Sequence, residues 1–186
     1  MNIKVTRPHI NDLDNIHQLF SLTIENNFHE EKISDPSGSF QKSIVNDLVN
    51  TLKKDYKSNG KDEFHLIAKN EDMIIGIIAF GSINSIIIEN TKLGSLTTIP
   101  ELKSVYVLPN FQNTGIGNIL LKNIVKCLIE KGYKEFCLDS GYTNAQRYWK
   151  KKFGAPTYIL DQYWTPKNDH MIWHVKIDTI KEFFLK

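Results

Sequence analysis

The sequence predicts an α/β fold (mixed α+β): a twisted, mixed β-sheet of about six to seven strands flanked by about four helices. Three observations predict it. Short apolar runs of strand length recur along the chain. Between them lie longer segments whose apolar residues fall three and four apart, the spacing of an amphipathic helix. A hairpin is followed by a strand–loop–helix–strand unit, so the order reads β, two helices, a β-hairpin, βαβ and then αββ.

Ile3 to Arg7 alternates like a half-buried strand. Asn11 or Asp12 can cap a helix carrying Leu13, Ile16, Phe20 and Ile24 at helical spacing. Residues 26–38 are polar and read as a loop. A second helix carries Phe40, Ile44, Leu48 and Leu52 on one face and ends at Asn59-Gly60. Phe64–Lys69 and Met73–Ile83 read as two strands joined by the turn Asn70-Glu71-Asp72. Residues 84–100 are ambiguous: Ile86, Ile87 and Ile88 extend the strand or begin another, and Thr97-Thr98-Ile99-Pro100 reads as irregular. Glu101–Leu108 is a strand closed by Pro109-Asn110. Gly115–Lys131 is a helix with Ile116, Leu120, Ile124 and Leu128 on one face, stopped by Gly132. Glu135–Asp139 reads as a strand, Asn144–Lys152 as a helix ending at Phe153-Gly154, and Thr157–Leu160 and His170–Ile177 as strands.

Length and composition fit one soluble domain spanning residues 1–186. A chain of 186 residues can bury a core without metal or disulfide staples. A net charge of +2 points to no nucleic-acid partner, and Lys150-Lys151-Lys152 reads as a solvated helix face. Cys127 and Cys137 sit among apolar residues, outside any C-x-x-C pair, and read as reduced thiols of a cytoplasmic protein. Met1 to Pro8 lacks an apolar signal core, and no run reaches membrane-spanning length, so no membrane association is expected. The six histidines show no metal-ligand spacing, and no metal is expected.

The informative stretch runs from Val105 through Gly117. A strand enters a short loop with two glycines, and the loop opens a helix. Backbone N–H groups at a helix start lack partners of their own and attract anions. Gly115 and Gly117 let the backbone approach a phosphate closely. A Walker loop would need Lys and then Ser or Thr after the glycine, but Gly117 is followed by Asn118. A dinucleotide fingerprint would suit Asp139 at the end of the next strand, yet Leu120 stands at its third glycine position and too little chain follows.

Gln112-x-x-Gly115-x-Gly117 after a β-strand resembles the coenzyme A pyrophosphate loop of the GCN5-related N-acetyltransferases, the GNAT superfamily. The order of elements resembles that family's order over most of the chain. The resemblance implies that Gln112, Asn113, Thr114, Gly115, Ile116, Gly117 and Asn118 hold the cofactor phosphates. It also implies that Val105, Tyr106 and Val107 lend backbone groups to the pantetheine arm. Many members carry a glycine and a basic residue where this chain has Asn113 and Thr114. Asn tolerates unusual backbone angles, and the threonine hydroxyl can meet a phosphate.

Amine acyl transfer needs a bound thioester, a base for the amine proton and an acid for the leaving thiolate. Some members, including the histone-acetylating branch, place their base glutamate eleven residues before the glutamine, which falls here on Glu101. The other reading of Glu101 is a strand-end carboxylate in water. As a base it needs its pKa raised by partial burial. Ser140 to Trp149 resembles the family's helix after the fifth strand. The resemblance implies that Tyr148 is the acid, its other reading being a buried aromatic, and that Asn144 meets the pantetheine or positions the acceptor. Tyr142, Tyr163 and Trp164 line the acceptor pocket or simply pack.

The reading is an N-acetyltransferase that passes an acetyl group from acetyl-CoA, its cosubstrate, to a primary amine by direct attack. No activated Cys or Ser suggests a covalent intermediate. The acceptor is a small-molecule or peptide amine. Glu25, Glu30, Glu31 and Asp35 favour a cationic one or form a solvated loop. The expected state is monomer or homodimer. Two alternatives remain: a non-catalytic acyl-CoA-binding sensor or interaction domain, and a nucleotide-binding protein built around Asp139.

Overall fold

A computed structural model of the chain describes residues 1–93, 99–166 and 168–185. Among them are seven strands and six α-helices: β1 (Ile3–Thr6), α1 (Leu13–Glu30), α2 (Ser39–Ser58), β2 (Glu63–Asn70), β3 (Met73–Gly81), α3 (Ser85–Asn90), β4 (Glu101–Val107), α4 (Ile116–Glu130), β5 (Glu135–Ser140), α5 (Thr143–Phe153), β6 (Tyr158–Thr165), β7 (Asn168–Lys176) and α6 (Ile177–Leu185). Two compact units are formed, one from Met1–Phe80 with Ser104–Ile124 and one from Gly81–Lys103 with Val125–Lys186. Among the described residues no helix is long and apolar enough to cross a membrane.

In the first unit the strand order is β1-β2-β3-β4. β1 runs antiparallel to β2 from Ile3 opposite Asn70 to Thr6 opposite Ile67. Ile16, Phe20 and Ile24 of α1 and Val45 and Leu52 of α2 pack on Ile67, Ile74 and Ile77. The helical stripe of α1 does not stop at residue 25. Phe28 continues it, buried and edge-on to Phe40 at 5.4 Å, so the polar residues 26–30 are helix and the loop begins at Glu31. Tertiary burial of one aromatic overrides the weak helix propensity of Asn26 and Asn27. The expected cap is also different. Asp12 precedes α1 without a side-chain cap bond. Its carboxylate instead accepts the His9 N–H at 2.8 Å and the Lys69 ammonium at 2.7 Å.

An ionic cluster, buried at Asp55 and His65, ties the residue after β1 to α2 and β2. The Arg7 guanidinium donates to both oxygens of Asp55, which also accepts the His65 N–H at 2.6 Å and the His65 ring at 2.9 Å. Burial pushes the Asp55 carboxyl up, but the hydrogen bonds from His65 and Arg7 outweigh it and hold the group below the ordinary range. One glycine of β3 positions the start of α4. A Cβ on Gly76 would lie 2.9 Å from Leu120 Cδ1, 3.2 Å from Ile116 Cγ2 and 3.2 Å from the Tyr106 carbonyl. The missing side chain therefore lets the first turns of α4 lie directly on β3.

In the second unit the order is β4-β5-β7-β6. β4 pairs in parallel with β5 at Glu101 opposite Cys137. β5 runs antiparallel to β7 from Glu135 opposite Lys176 to Ser140 opposite Met171. Ile87, Leu93, Ile99, Cys137 and Ile172 form its buried cluster. Two elements differ from expectation. β3 ends at Gly81, and Ile86-Ile87-Ile88 belong to the short helix α3, neither an extended nor a new strand. Asn84 decides this: its side chain accepts the Ile87 N–H at 3.0 Å and caps a helix that buries Ile87. The chain after β7 turns into α6, which sequence periodicity did not predict. The buried pair Ile177 and Ile180, three apart, is the available signal. Of the stretch expected to be irregular, Thr97 and Thr98 lie outside the described residues, while Pro100 accepts the Cys137 N–H at 3.0 Å.

Candidate active site

The phosphate-loop candidate belongs to the first unit. Ser104 takes a left-handed backbone (φ 53°) within β4 and breaks its regular pleat. Val105, Tyr106 and Val107 are half-buried, with the Tyr106 ring edge-on to Phe20 at 5.6 Å. A single 3₁₀ turn over Pro109–Phe111 follows. Gln112 then folds back, its amide donating to the Val107 carbonyl at 3.1 Å, so its side chain braces the loop. Thr114 likewise donates its hydroxyl to the Phe111 carbonyl at 2.6 Å, a structural use that differs from the expected phosphate contact.

Asn113 and Gly115 both adopt left-handed backbone, at φ 60° and 94°. No atom lies within 4 Å of where a Gly115 Cβ would project. The carbonyl of Gly115 takes the N–H groups of Asn118 and Ile119, at 3.0 and 3.1 Å. The N–H groups of Gly115, Ile116 and Gly117 therefore precede the helical ladder, at the positive end of the α4 dipole. An open, glycine-floored turn with backbone donors at a helix start fits a pyrophosphate. Ile116 is buried and anchors the turn, while Gln112, Asn113, Thr114 and Asn118 are exposed.

The carboxylate candidate belongs to the second unit. Glu101 is 3% exposed, so it is not a solvated strand end. Its Oε2 accepts the Asn84 backbone N–H at 2.7 Å, and its Oε1 accepts the Asn84 side-chain amide at 3.1 Å. Lys103 Nζ stands 3.6 Å from Oε2. Burial pushes the Glu101 carboxyl up to about 7. The Lys103 charge opposes the rise, the Asp139 charge adds to it, and the Asn84 hydrogen bonds oppose it. A carboxyl near 7 can hold or release a proton at physiological pH.

Tyr148 and Asn144 lie on α5 of the same unit. The Tyr148 ring is half-buried and edge-on to Trp149 at 4.8 Å, with Lys152 Nζ 5.5 Å from its centre. Burial pushes its phenol up to about 12, so it stays protonated at neutral pH. Asn144 is exposed and accepts from Arg147 at 3.1 Å. Cys137, opposite Glu101, has its thiol pushed up to about 12 by burial and by the Glu101 and Asp139 charges. It is therefore a poor nucleophile.

Sequence reasoning missed the company Glu101 keeps. Asn84 donates from its one amide nitrogen to Glu101 and, at 2.8 Å, to Asp139 Oδ2. Asp139 Oδ2 is also 3.0 Å from His170 Nε2, and His170 Nδ1 accepts the Trp164 indole N–H at 2.9 Å. Asp139, weighed in the sequence as part of a dinucleotide fingerprint, is thus engaged by an asparagine and a histidine. Gly141 makes room for the indole: a Cβ there would lie 2.5 Å from Trp164 Nε1. Trp164 and Tyr163 remain about half exposed, at 49% and 40%. Among the described residues no group of three or more His, Cys, Asp or Glu side chains is arranged to hold a metal ion.

No curated protein sequence matches the chain. Solved structures do resemble it. PaiA N-acetyltransferase of Thermoplasma acidophilum, crystallised with coenzyme A, superposes with a TM-score of 0.68 at 18% identity, over 94% of this chain and 100% of that one. YncA of Salmonella typhimurium, crystallised with acetyl-CoA, gives 0.67 at 15% identity, over 96% and 95%. An N-acetyltransferase of Staphylococcus aureus Mu50 gives 0.67 at 14% identity, over 95% and 99%. At such identities the likeness establishes the fold. The family rests on the sequence itself, whose residues 25–155 match the model of the acetyltransferase (GNAT) family. The chain belongs to that family, and it is an acetyl-CoA-dependent N-acetyltransferase.

Proposed function

We propose that residues 1–186 work as one domain that transfers the acetyl group of acetyl-CoA to a primary amine, by direct attack while both substrates are bound. The observation that carries this reading is Glu101: a buried carboxylate, held from both oxygens by Asn84, with its proton affinity raised to about 7. Backbone N–H groups at Gly115, Ile116 and Gly117 receive the pyrophosphate, and the backbone of Val105–Val107 lines the pantetheine arm. Glu101 takes a proton from the acceptor ammonium. The freed nitrogen lone pair bonds to the thioester carbonyl carbon, the carbon–sulfur bond breaks as the tetrahedral adduct collapses, and the nitrogen loses its second proton to solvent to leave the neutral amide. Tyr148 gives its phenolic proton to the departing thiolate and is reprotonated from solvent.

Release of free thiol from acetyl-CoA tests the reading with a panel of a polyamine, an aminoglycoside, free amino acids and peptide N-termini. Thiol release that depends on one amine class, with acetylated product in equal amount, is the expected result. Saturable acetyl-CoA binding without turnover on any amine would favour an acyl-CoA-binding sensor. Glu101→Gln separates direct base catalysis from a bystander carboxylate, with an expected loss in kcat of about 10²–10⁴.

A further inference from the structure

The Glu101 and Asp139 carboxylates are not independent. Asn84 is oriented by its cap bond: Oδ1 accepts the Ile87 N–H at 3.0 Å. The amide nitrogen must then face the other way, where its two hydrogens meet Glu101 Oε1 at 3.1 Å and Asp139 Oδ2 at 2.8 Å. The far side of Asp139 is fixed as well. An indole N–H can only donate, so His170 Nδ1 must be its acceptor and His170 Nε2 must carry the ring proton. That proton points at Asp139 Oδ2, 3.0 Å away. Asp139 is therefore an acceptor from both neighbours, which suits its ionised form. The groups facing Glu101 are Lys103 on its own strand, Asp139 and the Cys137 thiol on β5, and Asn84 before α3.

We propose that Asn84 and Asp139 are positioning residues that set the working pH of Glu101, with Asn84 bridging the two carboxylates and His170 holding Asp139 as a fixed negative neighbour. This rests on Glu101 being the base. The geometry gives the two residues opposite effects. The Asp139 charge repels a second negative charge and favours protonated Glu101. The Asn84 donors stabilise its ionised form. A merely structural role would weaken activity in both variants without moving the pH dependence in opposite directions.

The test is the pH dependence of kcat/KM with acetyl-CoA and an amine that the protein turns over. Asp139→Asn keeps an oxygen for His170 and Asn84 but removes the charge, so the acidic limb should move down by about one pH unit. Asn84→Asp keeps a capping oxygen for Ile87 and the backbone N–H to Glu101, but replaces two donors with a charge. Its limb should move up by at least as much. Thermal melts and circular dichroism confirm that each variant is folded. Should Asn84→Asp not fold, Asn84→Ser keeps a cap and still removes the amide bridge, again moving the limb up. Shifts in the same direction, or limbs unmoved in folded variants, would overturn the proposal. Glu101→Gln distinguishes the two levels of failure. If that variant keeps the acidic limb, Glu101 is not the base; if it loses the limb while Asp139→Asn and Asn84→Asp leave theirs in place, only the positioning role falls.

Discussion

Replacing Glu101 by Gln should make the protein less active and, at neutral to alkaline pH, more stable relative to wild type than at acidic pH. The stability effect follows from the carboxyl's environment. In the unfolded chain it titrates near 4.5, and in the fold near 7, because burial disfavours its charge. The folded state therefore binds more protons than the unfolded state between these values. Wild-type stability from this group is present below about 4.5 and is lost as pH rises through about 7. Between pH 5 and pH 8 the loss amounts to about 2–3 kcal/mol. The amide introduced by Glu101→Gln does not titrate, so this dependence disappears. It also fits imperfectly, since Asn84 donates to both carboxylate oxygens and an amide offers one oxygen and one NH₂. That misfit costs about 1 kcal/mol, but at both pH values, so it cancels in the comparison. Urea melts of both proteins at pH 5 and pH 8 measure the difference directly. The variant should gain about 2–3 kcal/mol on wild type between the two, or about 5–10 °C in Tm for a chain of this size. A pH-independent difference would mean that Glu101 titrates normally and is not a poised base.

Other consequences are equally specific. Gly115→Ala should leave the core intact, because no atom lies within 4 Å of the added methyl, yet force a left-handed backbone (φ 94°) on a residue that resists it by about 1–2 kcal/mol. Isothermal titration should show acetyl-CoA binding weakened more than about tenfold, and unchanged affinity would remove the turn from the cofactor site. Gly76→Ala should destabilise by about 1–3 kcal/mol, since its methyl meets Leu120, Ile116 and the Tyr106 carbonyl at 2.9–3.2 Å; a neutral effect in urea melts would show that α4 can slide. Tyr148→Phe should lower kcat by about 10²-fold and leave acetyl-CoA affinity near wild type if the phenol is the acid, whereas an unchanged kcat in stopped thiol-release assays would assign protonation to solvent. Replacing both Cys127 and Cys137 with Ser should retain turnover, and complete loss in a folded variant would return a covalent thiol step to consideration.

Local chemistry makes much of the molecule legible in its sequence. The strand–glycine–helix passage that starts at Val105 could be read because its signals follow one another along the chain: period-two apolar positions, two glycines, then a 3.6-residue stripe. Glu101 was legible as a candidate from its offset to Gln112, but its burial and raised proton affinity were not. Those depend on Asn84 and Asp139, seventeen and thirty-eight positions away in the sequence. The helix α3 was hidden for a related reason. Three consecutive isoleucines favour a strand by propensity, and only the Asn84 cap with burial of Ile87 reverses the choice. The histidines looked structural because sequence shows no ligand spacing; the fold sets His170 between Trp164 and Asp139, six and thirty-one residues distant. Sequence by itself determined the elements whose stability is local, together with the backbone turn that suits a phosphate and the family. Tertiary structure decided which carboxylate is buried and what surrounds it, because desolvation and hydrogen-bond partnership are properties of residues brought together by folding.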